Sequence, residues 1–158
     1  MSPVISATYL KSQTARANAA LPGAGAWDAT PTEMPCPGFW TFSLHFNYSR
    51  GAAGGAFDFQ IQVSPWSLTA SVPAGVNEWE EQAVYSTGAV AAGGDTTSLI
   101  QAELISYTNT AAGDLSFIYG PVSLDGAAER MRVRCRESGA VGTPGEAYCL
   151  ALFHDEEG

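Results

Sequence analysis

Arg130, Arg132, Arg134 and Arg136 alternate with Met131, Val133 and Cys135. A strict period of two marks a β-strand with one buried face, because successive side chains of an extended chain point to opposite sides. The outward face carries four of the seven Lys and Arg residues of a chain whose formal net charge is −9. Side chains two apart on a strand are separated by roughly 6.6 Å, so the stripe is about 20 Å long. Four like charges in a row repel and need partners. Either neighbouring strands of the same fold supply them, or another subunit does.

The same period recurs along the chain. Trp40, Phe42, Leu44, Phe46 and Tyr48 alternate with Thr41, Ser43, His45 and Asn47. Phe57, Phe59, Ile61 and Val63 alternate with Asp58, Gln60, Gln62 and Ser64. The glycine-rich stretch 49–55 between them reads as a hairpin loop, and the large apolar groups of both strands form the nucleus of a core. Further strands are expected near 4–10, 82–90, 98–108 and 114–124, and a closing strand contains Tyr148–Phe153. About eight antiparallel strands in one domain over 1–158 predict an all-β, two-sheet sandwich of jelly-roll form, with an immunoglobulin-like sandwich as the alternative. Residues 11–26 lack a period and leave a short helix or an extended arm open, so an N-terminal arm over 1–26 is expected. Residues 154–158 read as an acidic tail. The long segment 65–81, with Trp66, Trp79 and the cluster Glu78, Glu80 and Glu81, is expected to be functional or to cover something.

Charged residues are only 15% of the chain, against about 25% in an ordinary soluble domain. A surface built from small uncharged residues suits lasting contact with protein. The acidic balance argues against nucleic acid as a partner, since phosphate attracts a positive field. No apolar run approaches the roughly 20 residues that span a bilayer, so no membrane partner is expected. Residues 1–10 lack the basic and apolar regions of a secretory signal. The three cysteines carry no CxxC spacing and read as small buried thiols. A Cys135–Cys149 disulfide requires their strands to pair.

Motifs for chemistry are missing. The two histidines, His45 and His154, fall on a polar strand face and at the tail, and no GxSxG turn accompanies them. No zinc, calcium or phosphate-loop pattern occurs. Neither a catalytic residue, a cofactor nor a metal is expected, and the chain does not read as an enzyme. Carboxylates such as Asp58, Glu78 and Glu103 could pair only by distant approach. Trp66 and Trp79 could stack on sugar rings, but loop tryptophans over a sandwich more often pack as core or anchor an interface. The expected contact residues are Arg130, Arg132, Arg134, Arg136, Trp66, Trp79, Glu78, Glu80 and Glu81, the acids facing the arginines of a neighbouring subunit.

Two blocks carry a resemblance. Phe42–Tyr48, followed by Ser49-Arg50-Gly51 and the strand from Phe57, resembles the strand–YxRG–strand hairpin of small jelly-roll structural proteins in tailed-phage virions. Arg130–Arg136, then Glu137-Ser138-Gly139, then Thr143-Pro144-Gly145 and a closing apolar strand, is similar to the end of the same domain, where an RxRxxExG run precedes a P-G turn. These blocks cover about a third of the chain. The longer segment between Trp66 and Trp79 departs from the pattern. The resemblance implies a capsid decoration or cement protein, a head-fibre base, or a tail or baseplate component. Such a protein is made in the host cytoplasm and resides in the virion. Its partners would be copies of itself, as a trimer, and the major capsid protein. A carbohydrate-binding sandwich is the alternative from another class.

Overall fold

The computed structural model describes residues 10–23, 25–50, 56–67, 70–89, 104–109, 114–124, 128–138 and 143–155. The strands are β1 (Leu10–Ala20), β2 (Met34–Pro35), β3 (Thr41–Ser49), β4 (Ala56–Ser64), β5 (Glu80–Ala89), β6 (Leu104–Asn109), β7 (Asp114–Ser123), β8 (Arg130–Ser138) and β9 (Glu146–His154). One sheet has the order β1-β9-β3-β7-β6 and the other β2-β8-β4-β5. All pairings are antiparallel.

The order has a simple logic. The pairs β1/β9, β2/β8, β3/β7 and β4/β5 are nested, as in one long ribbon folded back on itself near the middle of the chain. Successive pairs fall alternately in the two sheets, and β9/β3 and β8/β4 close each sheet. That is a jelly roll, with β6 added outside β7. An immunoglobulin-like sandwich does not place its first strand beside its last, so that alternative falls.

The core confirms the strand phase. Phe42, Leu44, Phe46, Phe57, Phe59, Ile61 and Val63 are all buried between the sheets. Phe46 stacks on Phe117 at 4.9 Å and meets Phe59 at 4.5 Å, while Tyr48 stacks on Phe57 at 4.9 Å. Phe59→Ala in such a cluster should cost about 3–5 kcal/mol. Trp40 departs from the expectation of burial: it precedes β3 and is 50% exposed. Its backbone N–H donates to the His154 carbonyl, and its carbonyl accepts from Leu124 N–H. The main chain leaves the sheet there, so parity no longer turns the indole inward.

Two further expectations change. Through Ala20 the segment 11–26 is neither helix nor free arm. It forms edge strand β1, whose apolar signal is hidden because an edge strand of Ala, Ser and Thr buries little besides Ala15. Arg16 sits where the β1–β9 register shifts. It clasps Asp28 bidentately (Nε–Oδ2 2.9 Å, Nη2–Oδ1 3.1 Å) and donates to the Ala147 carbonyl at 2.6 Å. The Asp28 carboxyl also accepts from Cys135 N–H at 3.0 Å, so this pair ties β1 of one sheet to β8 of the other. Cys135 and Cys149 lie in different sheets, and all three thiols are free. The expected strand at 4–9, the loop at 51–55, the start of the 98–108 strand and the tail at 156–158 lie outside the described residues.

Gly120 fixes one detail. Its φ is +100°, and a Cβ there would meet the Phe42 carbonyl oxygen at 2.8 Å. The β3–β7 register shifts at this point, between Phe42 and Leu44. Only glycine lets the two backbones approach so closely in that conformation.

Candidate functional site

The two outer faces of the sandwich are the candidate surfaces, and they are built differently. On the four-stranded sheet, β8 lies beside β4 with Arg130 opposite Ser64, Arg132 opposite Gln62, Arg134 opposite Gln60 and Arg136 opposite Asp58. Each guanidinium reaches its cross-strand neighbour. Arg132 Nε donates to Gln62 Oε1 at 2.7 Å and Arg136 Nε to Asp58 Oδ2 at 2.8 Å. Arg134 Nη1 approaches Gln60 Oε1 at 3.5 Å and its Nε donates to the Asp28 carbonyl at 3.2 Å. Gln60 passes the ladder on to β5 by donating to Glu81 Oε2 at 2.7 Å.

Arg130 is the anchor. It is 3% exposed. Its guanidinium donates to the carboxyls of Glu33 and Glu78 (the latter 2.7 Å), to the Ser64 hydroxyl at 3.3 Å, and through Nε to the Trp66 carbonyl. A buried arginine is tolerable only when its donors are matched in this way. Arg132 shows the residual strain of the stripe. Burial first, and then the charge of Arg134, lower its guanidinium from the usual value, while Glu33 and Glu78 oppose the shift.

Two indoles cover the ladder. Trp79 lies over Arg130 and Arg132, at 4.8 and 4.2 Å from ring centroid to guanidinium carbon. Trp27 lies over Arg136 at 4.2 Å and Arg134 at 6.0 Å. Each cation–π contact contributes about 0.5–2 kcal/mol, more as water is excluded. Trp79 therefore lies back on its own sheet face rather than over an open end of the sandwich.

Of the expected contact residues, the structure gathers Arg130, Arg132, Glu78, Trp79 and the backbone of Trp66 at one end of this face. Glu81 joins through Gln60, and Glu80 stands exposed in register with Val63. The stripe's partners within the chain answer its repulsion by cross-strand pairing. Trp27, Asp28 and Glu33 carry no period and were not singled out. The signal that could have found two of them is local: each covering loop places an acid beside its tryptophan, Trp27-Asp28 in one and Glu78-Trp79 in the other.

The outer face of the five-stranded sheet is the reverse. Its rows run Leu10–His154–Thr41, Ser12–Leu152–Ser43, Thr14–Leu150–His45–Ile118 and Tyr148–Asn47–Ser116. None of these positions is Asp, Glu, Lys or Arg. Strand β9 has the unusual pattern: small Ala147, Cys149 and Ala151 point inward and are buried, while the larger Tyr148, Leu150 and Leu152 point outward.

A third cluster joins the two sequence blocks. The Tyr48 hydroxyl donates to Glu137 Oε2 at 2.7 Å, and Gly145 N–H donates to the same oxygen at 2.9 Å. Burial, and then the hydrogen bond and charge of Glu137, push the Tyr48 phenol well above its usual range, so it remains a donor. Glu137 is 2% exposed. The thiols are not poised for chemistry. Burial raises Cys36 to about 12 and lifts Cys135 and Cys149 well above the ordinary value, so the nucleophilic thiolate is suppressed. Among the described residues no group of three His, Cys, Asp or Glu could hold a metal ion.

No family model and no curated protein matches the chain. Among solved structures, the chain is similar to one in the crystal structure of the infectious bursal disease virus VP2 subviral particle, at 10% identity and a TM-score of 0.25. That likeness covers 94% of this chain and 42% of the other, so the chain spans less than half the length of the protein it matches. At so low a score, the jelly-roll assignment rests on strand order alone.

Proposed function

We propose that this chain is a non-enzymatic structural protein of a tailed-phage virion, a decoration or cement protein that binds the outer capsid shell as an oligomer. Its partners are copies of itself, as a trimer, and the major capsid protein. The observation that carries the reading is the Tyr48–Glu137–Gly145 knot. Tyr48 belongs to the YxRG block, Glu137 to the RxRxxExG block and Gly145 to the P-G turn. One residue from each of these motifs meets the others in one buried hydrogen-bonded cluster. Tyr48 and Glu137 are 89 residues apart in sequence, so the two blocks come together only through the fold.

The test is co-sedimentation. Purified chain mixed with assembled, undecorated capsids should pellet with them at a saturating stoichiometry. Pelleting with isolated tails instead would move the protein to the tail or baseplate. Failure to pellet with either overturns the virion reading.

One observation favours a second reading. Trp40 exposes half its indole, and Phe39 beside it lines an open groove of ≈ 510 Å³ with Lys11, Pro35 and Asp155. An exposed aromatic ring near polar groups is the usual platform for a sugar. Binding on a glycan array that disappears with Trp40→Ala would establish a carbohydrate-binding sandwich. A blank array removes it.

A further inference from the structure

We propose that the outer face of the five-stranded sheet is a docking surface for a second copy of this chain. The inference does not depend on the virion reading, and it puts self-association on the face opposite the arginine stripe.

Three observations carry it. First, the face is chemically unlike a solvent face. From the Leu10–His154 row to the Tyr148–Asn47 row it has no Asp, Glu, Lys or Arg, and its centre is Leu150, Leu152, Tyr148 and Ile118. Depletion of charge around an apolar centre distinguishes interface cores from ordinary surface. Glu146, one step further along β9, is exposed and begins a charged rim.

Second, β9 turns Tyr148, Leu150 and Leu152 outward, half-buried, while Ala147, Cys149 and Ala151 face inward with one large core residue, Phe153. A lone monomer leaves part of both leucines in water while alanines line the interior. A strand with protein on both sides gains from both faces.

Third, charge selects the occupant. The chain carries −9 overall, so two copies repel wherever their acidic surfaces face each other. This face is where two copies can meet without pairing like charges or burying an unmatched one. A basic partner would instead be drawn to the acidic surfaces. The size fits as well. Four strands at ~4.8 Å spacing and about seven residues at ~3.3 Å make a patch of roughly 19 by 23 Å. That is on the order of 440 Å² in projection, and side-chain relief brings its accessible area toward the ~800 Å² that each partner contributes to a standard interface.

Sedimentation equilibrium of the purified chain, without capsids, tests the proposal. Wild type should sediment as a dimer or larger oligomer. Leu150→Glu, at the centre of the face, should sediment as a monomer with an unchanged far-ultraviolet circular dichroism spectrum. Thr14→Glu, on the exposed edge strand, cannot disturb the core and should weaken association at least about tenfold. It decides the matter alone if Leu150→Glu fails to fold. Val84→Glu, exposed on the other sheet, should leave the mass unchanged. A wild type that stays monomeric at ~100 µM, wild-type association in Thr14→Glu, or dissociation by Val84→Glu as strong as by Thr14→Glu overturns the proposal. A chain that self-associates yet does not pellet with capsids keeps this inference and loses the virion reading.

Discussion

The two outer faces of one sandwich solve the problem of meeting water in opposite ways. The four-stranded sheet turns out four arginines, matches each to a polar neighbour on β4, and lays Trp79 and Trp27 over them. The five-stranded sheet turns out leucine, tyrosine, serine and threonine and has no formal charge across its rows. The lesson concerns how conspicuous a surface is. The stripe stands out in sequence because like charges must be answered, but its answers are inside the molecule. The quieter face stands out only once the strands are placed side by side.

That contrast can be broken at five positions. The largest effect should come from Arg130→Ala. It leaves the buried Ser64 hydroxyl and the Trp66 carbonyl without their shared donor, while the partly exposed carboxylates of Glu33 and Glu78 can turn to water, so the loss should be about 2–4 kcal/mol. Thermal or denaturant unfolding should register it. A change within about 0.5 kcal/mol would mean that water, not Arg130, satisfies those groups. Gly120→Ala comes next. It forces a side chain against the Phe42 carbonyl in a left-handed conformation, for a loss of about 1–3 kcal/mol. A melt equal to wild type would show that the β3–β7 bulge relaxes freely.

Trp79→Ala should cost about 1–2 kcal/mol by uncovering Arg130 and Arg132, with a smaller loss at higher salt because the uncovered charges are then screened. Trp27→Ala should behave alike at the other end of the stripe. If either change is silent, that indole merely rests on the ladder. The smallest effect belongs to the bare face. Leu150→Thr puts a β-branched side chain, which suits a strand, in place of leucine and should move monomer stability by no more than about 0.5 kcal/mol, measured at a dilution where only monomer sediments. A loss of several kcal/mol there would mean that Leu150 is part of the core and that the two faces differ less than their composition suggests.

Alkaline unfolding is a separate check on the core. Cys36, Cys135 and Cys149 all have raised values in the fold. Such groups contribute stability that is complete below the unfolded thiol value near 9 and is lost as pH rises toward the folded values, about 12 for Cys36. Stability should therefore fall from pH 9 upward, and the Cys36→Ala chain should fall less steeply than wild type. Equal slopes would show that Cys36 is accessible to hydroxide in the native state.

The alternation of β3, β4 and β8 was legible because parity needs only the local chain: every buried aromatic from Phe42 to Val63 follows from it. The all-β class and the phase of the core are set at that level. Edge strand β1 was not legible, because Ala, Ser and Thr at a sheet margin bury too little to leave a period. Trp40 misled because parity holds only while the chain stays in the sheet. What only the tertiary structure decided is which strands are neighbours. The packing of distant strands and loops puts Arg136 beside Asp58, Arg130 beside Glu33 and Glu78, and Tyr48 against Glu137. It also gathers the outward residues of β1, β9, β3 and β7 into one uncharged face. A side chain's direction is a property of its own few residues, but its partners come from distant parts of the chain, and the cost of burying charge and apolar surface is settled only when those parts meet.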